Sequence, residues 1–519
     1  MYNKVNFRVG EKILMKKIVS KSFILNFFYG VLWFTPLYFF VRDFFNINDI
    51  GIIFERDTFN IMLFSIKQGL YSTLIALLVA LIPAYLTAYE RGTISKLLQG
   101  LLFIPFFFPV ISTVTIFSII FNLEFFRNLN ILYTLKAIVI ANVFYNSPIF
   151  IKYISEGLKR IPKEIVEAMK LDGAGKIKIF FSGQLPLIMP QLFRAFILVF
   201  TYCFVGFGII LSLGGIQFST LEVEIATTLM SDLNFSKAMI YGLLQFVILI
   251  ILNSIGGKIT EYELEGEEEI QKQNLFMRGY SVIYLILQYF VVFSSVVFSF
   301  YNYYIGKFSF DAYKRIFSQE FNEEFEVIKG IINSIGISTI VSFITVIFIY
   351  LIIKNYNRLI DIIIFANLGV SGAFLAISLF YMNVLFDIPL IALLIVGYVL
   401  SSIPVGYSFM YQYIKKFPRI LLESSMLDCN NGFERFRYIE FPILKNLFLS
   451  AFLQIFAIVF GEFTIGYTMQ LEDLFPVASL VNYSMVANKK YLESAAFSSV
   501  ILIVVFMFFI IGEYFKDKE

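Results

Sequence analysis

The chain is 519 residues long, 59% of them hydrophobic and only 15% charged, with a formal net charge of +3 and no histidine. Soluble domains are roughly 45–50% apolar, so this sequence is composed for a bilayer, and its mean hydropathy of +0.79 agrees. The near-neutral charge, without a basic run interleaved with aromatics, excludes nucleic acid as a partner; the missing imidazole excludes His-dependent catalysis and His-ligated metal sites.

Residues 1–21 carry Lys4, Arg8, Lys12, Lys16, Lys17 and Lys21 against Glu11 and read as a cytoplasmic tail by the positive-inside rule. An apolar stretch follows over about 22–41, flanked by Arg42-Asp43-Phe44-Phe45 with no small-residue cleavage site, so it is an uncleaved first span. Crossing about 30 Å of hydrocarbon takes about 20 apolar residues, and further stretches of that kind fall at about 63–89, 97–121, 132–156, 189–213 and 236–256. The segment 258–279 then contains Glu261, Glu263, Glu265, Glu267, Glu268 and Glu269, a like-charge block that reads as a solvated cytoplasmic linker. Six more spans fall at about 280–304, 327–353, 358–382, 388–413, 447–467 and 494–514.

The expected fold class is therefore an all-α polytopic membrane protein of about twelve transmembrane helices, with one six-helix half over 22–257 and another over 280–515. Both termini fall on the cytoplasmic side. Arg91, Lys96, the Lys159–Lys178 loop, Lys354, Arg358 and the Lys415–Arg437 loop share that side, whereas the long outer loops 305–326 and 468–493 lack the basic bias. Two cysteines, Cys203 and Cys429, are too few for a disulfide framework or a structural zinc site.

A constant shift of 256 residues superposes the two hydrophilic loops that follow the fourth span of each half. Lys159-Arg160-Ile161-Pro162-Lys163 falls on Lys415-Lys416-Phe417-Pro418-Arg419; Glu167 falls on Glu423, Leu171-Asp172 on Leu427-Asp428, Phe180 on Phe436, and Pro186 on Pro442. Proline suits a first helical turn, so each loop should start a short helix at Pro162 and Pro418. In the first copy Ile165, Ala168, Met169 and Leu171 form an apolar stripe against polar Lys163, Glu164, Glu167 and Lys170, and Gly173 and Gly175 permit the turn that follows. A helix lying in the headgroup layer needs only such amphipathicity. Glu, Asp and Pro kept in register in two copies fit a protein surface better.

With these residues the chain resembles the permeases of ATP-binding-cassette importers, whose loop reads Glu-Ala-Ala, three residues, Gly, nine residues, then Ile-x-Leu-Pro. The first copy has Glu167-Ala168-Met169, Gly173 and Leu185-Pro186, with Gly183 in the place of Ile. The second has Glu423-Ser424-Ser425, Cys429 in the place of Gly, Ile439, and Phe441-Pro442. The resemblance implies a MetI-like permease fold and a coupling helix in each loop that sits in a groove of a separate ATPase. It implies ATP-Mg on that partner and no cofactor or metal on this chain, a soluble binding protein on the outer face, and the cytoplasmic membrane of a bacterium or archaeon. Because Cys429 lacks glycine's access to positive φ, the second helix should end differently. One chain carrying both halves looks most like the iron(III) and thiamine permeases.

Gly173-Ala174-Gly175-Lys176 is not a phosphate loop, since Lys170 and Ile177 stand where glycine and Ser or Thr are needed. Ionisable residues deep in spans are few, and Glu462 is the clearest. It aligns with Gly206, beside the equivalent Phe207 and Phe463, and is a candidate translocation-path carboxylate for a cationic solute; an end-of-helix carboxylate near the outer surface is the plainer reading. An ion-coupled secondary transporter shares the twelve-helix plan, but such proteins work through intramembrane carboxylates, in which this chain is poor.

Overall fold

Inside hydrocarbon no water satisfies peptide groups, so a chain this apolar must close its backbone hydrogen bonds within helices. The computed structural model describes residues 27–516 except 102–107, 216, 233, 258–272, 303–305, 356–359, 361–362, 365–366, 368, 416, 419–420, 422–423, 425–428 and 430. The basic tail, most of the acidic linker and Glu423 lie outside the described residues. Among the described residues nine helices are long and apolar enough to cross a membrane, and Val110–Asn122 and Gly372–Phe386 are shorter apolar helices.

In the first half the helices are α1 (27–44), α2 (Arg56–Tyr89), α3 (Val110–Asn122), α4 (Leu135–Lys159), α5 (Lys163–Leu171), α6 (Leu185–Phe204), α7 (Gly208–Leu213), α8 (Leu221–Asp232) and α9 (Phe235–Gly257). The second half has α10 (Leu275–Phe300), α11 (Val327–Lys354), α12 (Gly372–Phe386), α13 (Leu390–Lys415), α14 (Phe441–Phe460), α15 (Thr464–Thr468), α16 (Ala478–Ala487) and α17 (Tyr491–Lys516). A two-residue antiparallel ribbon, Tyr301–Asn302 with Lys307–Phe308, follows α10.

Three expectations shift. The third span does not run unbroken over 97–121: α3 starts afresh after Pro109, which sits at φ −57° and ψ 144°, extended backbone that cannot continue a helix. The ninth span does not run unbroken over 358–382: residues 369–371 are non-helical, and Ser371 caps a fresh helix, α12, by accepting the N–H of Phe374 at 3.1 Å. The segment 468–493 is not simply a loop, since it contains the largely buried α16. The equivalent α8, at 12 residues with two glutamates, is too short and too polar to register as a span. Each of these two helices begins on a serine of the half's second helix: the N–H of Leu221 donates to Ser65 at 3.0 Å, and that of Ala478 to Ser334 at 2.7 Å.

Packing separates the chain into two compact units, and neither is a sequence half. One draws its described residues from Met1–Phe44, Lys329–Ala478 and Ile501–Glu519, the other from Phe45–Ile328 and Ser479–Val500. In the former, α1 lies on the second half: the Tyr29 ring is 5.9 Å from that of Phe348, and its hydroxyl accepts from Asn367 at 3.0 Å. In the latter, α10 lies on the first half, where Gln288 Nε2 donates to Ser147 and to Tyr284, each at 3.1 Å. Small residues let backbones approach, as hydrocarbon-embedded helices require. A Cβ on Gly406 of α13 would meet Ile349 of α11 at 2.5 Å and Ile455 of α14 at 3.0 Å.

Candidate functional site

The first loop is a rigid object built from local rules. Pro162, at φ −56° and ψ 133°, is the N-cap of α5, and Ile165 N–H closes the first turn on its carbonyl at 3.2 Å. At the other end the N–H of Ala174 reaches the carbonyl of Met169 at 2.9 Å and that of Gly173 reaches Lys170 at 3.0 Å, with Gly173 at φ +77°. That pair of bonds is the Schellman termination, which needs a residue tolerant of left-handed backbone. Nothing crowds Gly173, so its requirement is purely conformational.

The stripe expected from the sequence is not the face packed on this chain. Val166 is the buried residue of α5; Ile165 and Met169 are half-buried, while Glu167 and Ala168 are exposed and Leu171 is 88% exposed. Periodicity shows that an apolar face exists but not what covers it. Ile177 and Phe181, just beyond α5, are exposed too. Gly183 has a packing reason, because a Cβ there would lie 2.4 Å from the Met169 sulfur. Leu185 and Pro186 form the first turn of α6, which needs no N–H from proline.

The described residues of the second loop repeat the opening turn at the same spacing. Leu421 N–H closes on the Pro418 carbonyl at 3.2 Å, the counterpart of Ile165 on Pro162. Pro418 is exposed and Cys429 half-buried, and Cys429 is not among the described residues with positive φ. A π-helical turn precedes the next long helix in both copies, Ile179–Gln184 before α6 and Phe436–Glu440, which includes Ile439, before α14; Pro442 takes the place of Pro186.

Each fifth span expected from the sequence is interrupted near its far end. Val205, Gly206 and Phe207 separate α6 from α7, and Gly461, Glu462 and Phe463 separate α14 from α15. Phe207 and Phe463 are buried, Gly206 and Glu462 half-buried. The Glu462 carboxylate accepts the N–H of Ile465 at 3.0 Å and so holds the first turn of α15. Gly206 has no side chain for this, and the first break is held differently: Gln68 Nε2 donates to the Cys203 carbonyl at 2.7 Å, while Asn142 Nδ2 donates to Gln68 at 3.3 Å and to Ser72 at 3.2 Å.

Residues 72–259, which run from within α2 through the whole first loop to beyond α9, match the family of binding-protein-dependent transport system inner membrane components. That match covers less than half of the chain. The thiamine transport system permease protein ThiP of Haemophilus influenzae is 26% identical to this chain over 261 residues, 46% of this chain and 47% of the relative. The chain thus matches about half the length of that relative. The probable transport system permease protein NifC of Clostridium pasteurianum is 22% identical over 255 residues, 46% of this chain and 88% of its own. The ferric transport system permease protein FbpB of Actinobacillus pleuropneumoniae is 22% identical over 407 residues, 73% of this chain and 58% of its own, a stretch longer than either half.

Two buried polar features of the chain carry no role in the sequence reading. Glu222, buried at the start of α8, accepts from Gln245 of α9 at 2.8 Å, which keeps a carboxylate tolerable inside the protein. Gln184 and Glu440 are buried at the base of the two loops. Their signal was the repeat itself, since a shift of 256 places one polar residue on the other where the turn otherwise meets an apolar span.

Proposed function

We propose that the chain is the membrane subunit of an ATP-binding-cassette importer and that its two repeated loops dock on a separate ATPase dimer. The observation that supports this best is α5. Nine residues stopped by Pro162 and Gly173 bury Val166 and turn Glu167, Ala168 and Leu171 outward, which is a stiff surface with an apolar residue left for a partner to cover. In this reading the loops and both termini are cytoplasmic, ATP and Mg are bound by the partner, and a soluble binding protein delivers the solute on the opposite face. The chain performs no hydrolysis of its own and sits as a multi-pass protein in a bacterial or archaeal cytoplasmic membrane.

Thiamine or iron(III) is the proposed solute, from the names of the relatives and from the two halves joined in one chain. Gly206, Phe207, Glu462 and Phe463 are the proposed residues of the path, and Glu462 adds a carboxylate suited to a cation. Docking is tested by co-expressing the chain with an ATP-binding-cassette ATPase subunit of the organism that encodes it. Glu167→Arg should lower the ATPase recovered with the chain about tenfold, a typical loss at an interface hot spot. Undiminished recovery with Glu167→Arg and Leu171→Asp combined would remove α5 from the interface.

A further inference from the structure

Each loop is tied at its base to the second helix of its own half, and the tie falls on the position that the Ile-x-Leu-Pro motif leaves open. In the first half Gln184, 2% exposed, donates from Nε2 to the Tyr89 hydroxyl at 2.8 Å, and that hydroxyl donates to the Leu158 carbonyl at 3.4 Å. Tyr89 is the last residue of α2 and Leu158 lies in the last turn of α4, so a single phenol joins the entry of the loop, its exit and the second helix. In the second half Glu440, 3% exposed, accepts the Lys354 ammonium on both oxygens at 2.8 and 2.9 Å, Arg435 Nε at 3.0 Å, and the Tyr350 hydroxyl. Lys354 and Tyr350 occupy the last turns of α11.

The rings above the ties repeat as well. Phe180 lies 5.9 Å from Tyr85 of α2, and its counterpart Phe436 lies 5.2 Å from Tyr350 of α11. In both copies the tie leaves from the end of the π-helical turn, a local rewinding that is frequent at functional sites. Without it a displacement of the loop would reach the membrane through the fourth and fifth spans to which the loop is covalently joined. With it the second span is carried too.

We infer that Gln184 and Glu440 are positioning residues that fasten each loop to the end of its second helix, so that α2 and α11 move with their loops when a partner moves them. The inference rests on the docking reading. A tie that serves stability alone can be replaced by an apolar pair without loss, because a buried ion pair exchanged for hydrophobic residues is commonly neutral. A positioning tie cannot.

The test uses the full chain with its ATPase in lipid nanodiscs, reading thermal stability, ATPase recovery and ATP hydrolysis. The paired change Glu440→Leu with Lys354→Met, and separately Tyr89→Phe, should leave the chain folded and ATPase recovery at the wild-type level, with melting below wild type because Arg435 loses its carboxylate in the one and the buried Gln184 amide its acceptor in the other. Both should change hydrolysis by about fivefold or more, the low end of ordinary coupling between sites. Wild-type hydrolysis in folded, ATPase-bound Tyr89→Phe and in the paired variant would overturn the tie and leave docking intact. A wild-type chain that recovers no ATPase would overturn docking and the tie together.

Discussion

The first loop has Met169 and Gly183 where the second has Ser425 and Ile439, so the large and small members of one pair have changed places. In the first copy the Met169 sulfur fills the space that a side chain on residue 183 would need. The ties at the base differ in a parallel way: a neutral amide on a phenol in one, a carboxylate held by two cations and a phenol in the other. What the two copies share, among the described residues, is a turn opened by proline, a π-helical turn and a buried polar tie at its end. Resemblance to a motif therefore understates each loop, because a departure at one position is answered at another.

Changes that force one copy's solution onto the other test this directly, and the charged tie should give the largest effect. Lys354→Met leaves the Glu440 carboxylate to Arg435 and Tyr350 and should cost about 2–3 kcal/mol, below the roughly 3–5 kcal/mol of a fully stranded buried charge. Gln184→Leu, which leaves Tyr89 its Leu158 acceptor, should cost about 1 kcal/mol. Equilibrium unfolding in mixed micelles measures both, and equal losses would mean that the two ties are not different in kind.

Next in size is the exchange of volumes. Gly183→Ile drives a branched side chain into the Met169 sulfur and should cost about 1–3 kcal/mol through overpacking. Adding Met169→Ser, which reproduces the Ser425 and Ile439 pair, should return most of it. A double variant no more stable than Gly183→Ile alone would show that the reversed sizes are coincidence.

Much of this was legible in the sequence, for reasons that also mark what was not. A span announces itself because about 20 apolar residues are needed to cross hydrocarbon, and the loops announce themselves because Pro, Glu and Asp recur at one spacing. The interruptions at 205–207 and 461–463 were hidden, since an apolar window averages across a break of three residues. The packing of α1 on the second half and of α10 on the first was hidden because periodicity says which face of a helix is apolar and not which neighbour it meets. Gln184 and Glu440 read as ordinary loop residues until their partners, 95 and 90 residues away, were brought beside them.

The last comparison separates Gly173 from its counterpart Cys429. Gly173 stands at φ +77° in open surroundings, so Gly173→Ala meets no clash and should cost only the left-handed penalty of an L-residue, about 1–2 kcal/mol. Cys429 is not among the described residues with positive φ, so glycine there relieves no strain, and Cys429→Gly should fall within about 0.5 kcal/mol of wild type. Thiol labelling adds an independent check. Cys203 is buried beneath Asn146, whose amide lies 3.5 Å from its sulfur, whereas Cys429 is half-exposed, so the folded chain should take up maleimide at Cys429 and at Cys203 only after unfolding. Stabilisation by Cys429→Gly of the size that Gly173→Ala loses would mean that the second copy also strains towards the left-handed stop, and the two loop ends would then be one design with one residue mismatched.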